Sequence, residues 1–350
     1  MENRKKRIGV IFGGKSGEHE VSLMSAASVI RVLNTEKYEP VYIGITKEGA
    51  WKRFCGDADR IEDGSWLASA QDLNPGDLKS HIDFALPILH GPYCEDGKIQ
   101  GFFETMDIPY GGCGVLASAV AMDKQVARQV FLQAGLPMCR HVFLTRAQYR
   151  NEEEAVLRRI EEEIGYPNFV KPANLGSSVG ISKAKDRAAL KEALALAMQY
   201  DSRIIVEEFI DCRELETGIL GNDDPKAAEV GEILSSAEFY DYEAKYSDGF
   251  SQICIPAEIS EQDRQTIRSM AVKAFKAIGG EGYSRVDFFK DRKTGKLYLN
   301  EINTIPGFTK YSMFPLLWEA AGVSYSDIVE RIIELGYERY HAKNHREAML

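Results

Sequence analysis

Toward the C-terminal end of the chain, Tyr298-Leu299-Asn300-Glu301-Ile302-Asn303-Thr304-Ile305-Pro306-Gly307-Phe308 follows the apolar run Ser284-Arg285-Val286-Asp287-Phe288-Phe289. Alternate side chains of a strand share a face, so Glu301 and Asn303 point the same way, and Asp287 on a neighbouring strand can join them. Two carboxylates and an amide are hard oxygen donors. Such a set suits magnesium, which keeps positions open for water and for nucleotide phosphates. The competing reading is structural, with Glu301 a solvated strand residue and Asn303 the start of the turn before Pro306-Gly307. These residues alone leave both readings open.

Other segments supply complementary chemistry. In Lys171-Pro172-Ala173-Asn174-Leu175-Gly176-Ser177-Ser178-Val179-Gly180 a strand delivers a lysine and then a loop of small residues, whose backbone N–H groups can close over phosphate oxygens. An ordinary hairpin turn is the alternative. Gly9 to Ser16 matches the Walker A pattern letter for letter, but its first four residues belong to a strand, whereas that loop begins after the strand ends, so the match is a coincidence. The same turn lacks Gly-x-Gly-x-x-Gly, which weakens a dinucleotide-binding reading. Glu207-Glu208-Phe209 ends an apolar strand at a junction of two units, a place where backbone groups can grip adenine and a carboxylate such as Glu214 the ribose.

His90-Gly91-Pro92-Tyr93-Cys94-Glu95-Asp96-Gly97 follows a buried strand; His90 there is structural or functional, and Glu95 is a ligand or a helix cap. Glu20 enters the first turn of a helix after Gly13-Gly14, a favourable place for a carboxylate with or without a ligand. Lys124 sits within a helix and reads, by itself, as a surface charge. The aromatic, charged segment Phe239 to Phe250 has no strand or helix period and reads as a lid or as a surface loop.

These residues need elements to hold them. The chain has 350 residues, 44% of them hydrophobic, enough for a substantial core and for two or three domains. A formal charge of −10 argues against a nucleic-acid surface. The six scattered cysteines form no Cys-x-x-Cys pair and read as reduced thiols of a cytoplasmic protein. Arg4 to Arg7 is followed by only Ile8 to Phe12, too short for an export segment, and no apolar run has the length to cross a bilayer.

Residues 1–112 alternate strands (Ile8 to Phe12, Pro40 to Ile45, Asp83 to Leu89) with helices (Val21 to Leu33, Ile99 to Met106), a βαβ rhythm that implies an α/β unit with a parallel sheet. Functional residues in such a sheet lie just after the strands' carboxyl ends, where Gly13-Gly14 and His90-Gly91 fall. From Cys113 to about Glu207 the pattern predicts one long helix over Ala117 to Ala134, strands at His141 to Leu144, Asn168 to Lys171, Ile181 to Ala184 and Ile204 to Glu208, and helices at Glu152 to Ile164 and Arg187 to Gln199. The rest holds strands near Glu214 to Leu220 and Ala227 to Ile233, a helix over Ser260 to Ile278, the strands carrying Asp287 and Glu301, and two terminal helices, with a loose tail from Lys343.

Together these segments resemble D-alanine:D-alanine ligases of the ATP-grasp superfamily, in family order from Gly13 to Ser312. The resemblance implies an α/β and α+β ATP-grasp architecture: an N-terminal Rossmann-like domain over 1–112, a small central domain over 113–207, and a C-terminal mixed-sheet domain over 208–345. It implies ligation of two D-alanines with ATP and two magnesium ions, with manganese as a substitute, in a homodimer. Asp287, Glu301 and Asn303 would bind the metals. Lys124, Lys171, Ser177, Ser178, Glu207, Glu208, Phe209, Glu214, Lys245 and Asn300 would bind ATP. Glu20 would anchor the first ammonium and link to Ser177 and Tyr246, candidates for assisting deprotonation of the second amine. Arg285 would stabilise charged intermediates, while His90, Glu95, Lys245, Gly307 and Ser312 would contact the amino acids. Cys94 stands where the family usually has glycine, which implies strain there if that position needs a positive φ.

Related ligases using D-serine or D-lactate remain as rivals; Tyr246 speaks against the lactate branch, which typically carries histidine there. A non-catalytic nucleotide-binding regulator would lack a metal ligand or a phosphate lysine, and none is missing. A nicotinamide-dependent oxidoreductase would carry the glycine fingerprint that is absent.

Overall fold

The structure, a computed structural model, describes residues 4–176, 179–235 and 251–347. Its strands form three sheets. The first contains Lys6–Gly13 (β1), Tyr38–Ile45 (β2), Trp51–Phe54 (β3), Gln71–Asp72 (β4) and Phe84–Leu89 (β5), in the order β4-β3-β2-β1-β5. β1 runs parallel to β2 and β5, as the βαβ rhythm predicts. The sheet is not parallel throughout: β3 and β4 add an antiparallel edge, because the chain reverses tightly after β2. There Thr46 N–H donates to Ala50 O at 2.9 Å and Gly49 adopts a φ of 95°.

The second sheet, His141–Thr145 (β6), Asn168–Pro172 (β7), Ser182–Ala184 (β8) and Arg203–Glu208 (β9), has the order β6-β9-β7-β8 and antiparallel pairs throughout. The third is Cys212–Gly221 (β10), Lys226–Ser235 (β11), Ser251–Cys254 (β12), Gly282–Asp291 (β13) and Leu297–Asn303 (β14), ordered β12-β11-β10-β13-β14. Expected to be mixed, it pairs antiparallel along all its named strands, with one parallel bridge, Met138↔Leu299, at the β14 edge.

Two helical expectations are corrected. The long helix over Ala117 to Ala134 is two helices, Val115–Met122 and Lys124–Gln133. Asp123 breaks it with an extended backbone (φ −90°, ψ 101°) and caps the second helix, accepting from Gln125 N and Val126 N at 3.1 and 3.0 Å. Lys124 N–H is diverted to Ala173 O at 2.9 Å, so it serves the end of β7 instead of a continuous helix. Lys343 does not begin a loose tail: the last helix spans Tyr325–Glu347, pinned by Lys343 on Glu104 at 2.8 Å and by Arg339 donating to Tyr110 O at 2.9 Å.

Packing divides unevenly. One core joins β1 and β5, through Val10, Phe12, Phe84 and Leu86, to Tyr283, Phe308, Phe314 and Ile332 from the C-terminal part of the chain. The central sheet has its own core of Val142, Leu157, Ile160, Val170, Leu190, Leu194 and Val206. All six cysteines are free thiols, and among the described residues no helix is long and apolar enough to cross a membrane.

At the foot of the first sheet, Asp83 accepts hydrogen bonds from Arg7 N at 2.8 Å, Arg7 Nη2 at 2.9 Å and Arg4 Nη2 at 2.9 Å. Burial pushes this carboxyl up, but the Arg7 hydrogen bonds and the two guanidinium charges outweigh it and hold the pKa at about 2, below the ordinary 3.8. A carboxylate with a depressed folded pKa stabilises the fold above its unfolded pKa and loses that contribution as pH falls through the folded value. Asp83→Asn is therefore expected to lower stability at pH 7 by about 1–2 kcal/mol, allowing for partial exposure. In urea titrations the gap to wild type should shrink between about pH 4 and pH 2; a constant gap would disprove the coupling.

Candidate active site

The third sheet brings three carboxylates into a row across neighbouring strands, since Glu216 of β10 pairs with Asp287 of β13, and Asp287 pairs with Glu301 of β14. Strict alternation from the buried Leu299 would turn Glu301 and Asn303 toward the core. The register shifts instead between Asp287 and Phe288: Phe288 pairs with Leu299 while Asp287 pairs with Glu301, which leaves Asn300 as an extra residue. This bulge re-aims the strand, so Ile302 is buried with Leu299 while Glu301 and Asn303 join Asp287 on the other face.

Like charges side by side on a sheet repel, and Arg285 offsets them. Its Nε and Nη2 donate to the two oxygens of Asp287 at 2.7 Å each, and Nε lies 2.8 Å from Glu216 Oε2 as an ion pair. Burial works against the guanidinium charge, but Asp287 and Glu216 outweigh it and hold its pKa well above the ordinary value. Asn303 Nδ2 donates to Asp287 Oδ2 at 3.0 Å, leaving its own oxygen available as a donor to a metal. Among the described residues no three His, Cys, Asp or Glu side chains already converge on one point. The donor set nonetheless fits a hard cation: two carboxylates and an amide oxygen, in a row whose formal charge one arginine does not balance.

Facing this row is a set of buried cations. Lys171, at the end of β7, lies 2.6 Å from Glu207 Oε2, and Arg128 pairs with the other oxygen of Glu207. Arg128 Nη1 also donates to Asn300 O at 3.3 Å. Burial first, and then the Arg128 charge, push Lys171 down to about 8, while Glu301 pulls the other way. Burial lowers Arg128 to about 10. Lys124 Nζ donates to Leu175 O at 2.6 Å, so it is no idle surface charge. Glu207, expected to lie at the adenine, has a carboxylate that is 3% exposed and engaged by both cations, which leaves its backbone for such a contact. Glu208 holds Arg140, with Nε at 2.7 Å; Lys183 Nζ lies 3.9 Å from the Phe209 ring centroid; Glu214 is on β10 opposite Phe289.

On the first sheet's side, Glu20 is corrected. Its side chain is 61% exposed and paired with Lys47, which lowers its pKa, so it points away from the cluster. Glu18, which sequence reasoning passed over, faces it instead: a Cβ on Gly91 would lie 2.7 Å from Glu18 Oε2, and its charge acts on His90 and Glu95. The signal was available in the turn Gly13-Gly14-Lys15-Ser16-Gly17-Glu18, where the carboxylate before the helix stays on the loop and the one inside it rotates outward. Burial and then Glu18 push Glu95 up to about 8, against Gly91 N–H, which donates to Glu95 Oε1 at 2.9 Å.

His90 is buried, and burial lowers its pKa; Nδ1 donates to Ile305 O at 3.1 Å and Nε2 accepts from Ser25 Oγ at 3.0 Å. Both ring nitrogens are thus committed to tying the loop after β14 to the first sheet, which leaves none for a substrate. Gly307 and Ser312 come together: a Cβ on Gly307 would lie 3.0 Å from Ser312 Oγ, which accepts from Thr309 N at 3.0 Å. The strain expected at Cys94 falls one residue earlier, on Tyr93 (φ 72°), while Cys94 is buried with its thiol pKa raised by burial. Arg128 and Glu216 were also missed; the first is one turn from Lys124 on the same helix face, the second is a mid-strand acid in register with Asp287. Ser177, Ser178, Lys245, Tyr246 and the segment 239–250 lie outside the described residues.

Comparison with known proteins gives the family of the whole chain. Residues 7–113 match the family model for the D-ala D-ala ligase N-terminus, and residues 130–334 that for the D-ala D-ala ligase C-terminus. The chain is 47% identical to the D-alanine–D-alanine ligase of Acetivibrio thermocellus over 365 aligned residues, covering 96% of this chain and 97% of the relative. It is 48% identical to that of Geobacillus thermodenitrificans over 355, covering 97% of each. Of solved structures, the VanG D-Ala:D-Ser ligase from Enterococcus faecalis superposes with a TM-score of 0.87 at 37% identity, over 95% of this chain and 100% of that one. The D-alanine-D-alanine ligase from Coxiella burnetii gives 0.88 at 32%, over 99% and 97%. With a family model on each half and such relatives along nearly its whole length, the chain belongs to the D-alanine–D-alanine ligase family, of ATP-grasp architecture.

Proposed function

We propose that this protein is an ADP-forming carbon–nitrogen ligase that joins two D-alanines into D-alanyl-D-alanine with ATP, through an acylphosphate, as a precursor for peptidoglycan and cell-wall biogenesis. The observation that carries the reading is Glu301, whose charge acts on Arg128, Lys171, Arg285 and Glu95 alike. One carboxylate thus joins the oxygen-donor row, the phosphate-type cations and the first sheet's acids. In this reading the lobes are 1–112, 113–207 and 208–345, and the enzyme works as a homodimer in the cytoplasm.

The reaction moves the γ-phosphoryl group of ATP onto the first D-alanine's carboxylate, releasing ADP; the second D-alanine's amine then attacks the acyl carbonyl and phosphate leaves. Asp287, Glu301 and Asn303 would hold two magnesium ions, replaceable by manganese, whose charge would offset that of the phosphate oxygens. Lys171 and Lys124, with Ser177 and Ser178, hold the phosphates. The backbone at Glu208 and Phe209, with Glu214 and Asn300, receives the nucleoside. Glu18, rather than Glu20, takes the first ammonium, since only Glu18 faces Glu95 and His90. Arg285 steadies the developing oxyanion. Glu216 is its second partner and would keep it in position with Asp287 engaged by a cation. Gly307 and Ser312 hold the second carboxylate, and Ser177, Tyr246 and Lys245 keep the parts that the resemblance gives them.

A D-alanine:D-serine ligase is the second reading, favoured by the VanG likeness but at 37% identity against 47–48% for the D-alanine–D-alanine relatives; a D-lactate enzyme stands further off. Offering D-alanine, D-serine and D-lactate together with ATP and weighing the products decides between them. D-alanyl-D-alanine should dominate; a mixed D-alanyl-D-serine product would select the second reading, and no phosphate release with any D-amino acid would end both.

Two variants test the assignments. Glu18→Gln should raise the KM for the first D-alanine or cut turnover by about 100-fold or more, as loss of one partner of a buried ion pair does, while Glu20→Gln stays within about threefold of wild type. The reverse pattern would restore Glu20. Glu301→Gln should cut D-alanine-dependent ADP release by about 100-fold or more and raise the magnesium requirement, with the unfolding midpoint unchanged; wild-type turnover at low magnesium would remove Glu301 from the metal site.

A further inference from the structure

Arg128 reaches into the cleft one turn beyond Lys124 on the helix Lys124–Gln133 and is 3% exposed. A buried guanidinium is costly unless its charge is met. Glu207 meets it with one oxygen and holds Lys171 with the other, at 2.6 Å. Three formal charges are therefore locked together, two positive and one negative, and the set keeps one positive charge in excess. Without Arg128 the remaining Lys171–Glu207 pair would be neutral, with its ammonium committed to a carboxylate and little left to attract an anion. Arg128 also donates to Asn300 O at 3.3 Å, so the same side chain ties the central sheet to the strand that carries Glu301.

The geometry points to Arg128 as a positioning residue for nucleotide binding: by occupying one oxygen of Glu207 it stops that carboxylate from cancelling Lys171, and leaves the lysine's charge for the phosphates. This deepens the nucleotide site proposed above and rests on it. A merely structural arginine would be equally needed whatever stood at position 207. A positioning one matters only while Glu207 is charged.

The test is a double-mutant cycle on the full chain, reading binding of a non-hydrolysable ATP analogue with magnesium, the KM values for ATP and D-alanine, and the urea midpoint. Arg128→Met should weaken analogue binding by about tenfold or more while the D-alanine KM stays within about twofold, and Arg128→Lys should recover most of the loss. In a Glu207→Gln background the same Arg128→Met change should cost less than about twofold. An equal loss in both backgrounds, or undiminished binding by Arg128→Met, would overturn the inference. If Arg128→Met does not fold, Arg128→Gln, which retains a donor for Asn300 O, carries the same cycle. Failure of the wild-type chain to bind the analogue would overturn the nucleotide site itself, a result separable from failure of the cycle.

Discussion

The arrangement rests on a single guanidinium among buried carboxylates. Arg285 holds Asp287 with two hydrogen bonds and Glu216 as an ion pair, inside a row that Glu301 extends across a third strand. Burying ions costs several kcal/mol each unless geometry and hydrogen bonds meet them. Antiparallel strands hold the row by their register, and behind it Val286, Phe288, Leu299 and Ile302 pack into an apolar core that cannot slip by one residue without exposing itself. The excess of negative charge is thus fixed by the fold and not by chance rotamers. It forms a standing demand for a cation, which is why the metal reading outweighs that of a solvated strand.

The distribution of cores sets what is rigid in this cleft. The first sheet shares its packing with Tyr283, Phe308 and the last two helices, and His90 bonds Ile305 O across that junction, so Glu18, Glu95 and Ser312 keep fixed positions relative to Arg285. The central sheet packs on itself and meets the remainder through polar contacts such as Glu207 to Arg128, whose helix packs against the third sheet. A unit with a separate core keeps its internal packing whichever way it leans. The amino-acid side of the site is therefore built in, while the phosphate side is adjusted through a few charged side chains.

Residue type and spacing made most of the site legible. Asp287, Glu301 and Asn303 do share a face, although simple alternation gives the wrong one and only the bulge at Asn300 corrects it; a bulge depends on the partner strand, which the local sequence does not describe. Apolar periodicity carried the reading across Asp123, because Ala117 to Ala134 keeps a helical pattern and the break comes from a cap plus a distant acceptor, Ala173 O. Glu20 stands out in the sequence as the carboxylate inside the helix while Glu18 does not, yet which carboxylate faces the cleft is decided by the path of the loop before the helix. Arg128 and Glu216 were invisible for the opposite reason. Each completes an ion pair with a residue 79 or 69 positions away, and nothing local marks a charge as buried.

Charge distribution across the cleft narrows what can occupy it. On one wall Glu216, Asp287 and Glu301 outnumber Arg285 by two formal charges; on the other, Lys171, Arg128 and Lys124 outnumber Glu207 by two. A free anion would be drawn to one wall and repelled by the other, and a free divalent cation likewise. A metal-bound triphosphate would satisfy both at once. Such a cleft selects against the isolated components through the like charges that they would meet. That selection favours entry of metal and nucleotide together over either of them alone.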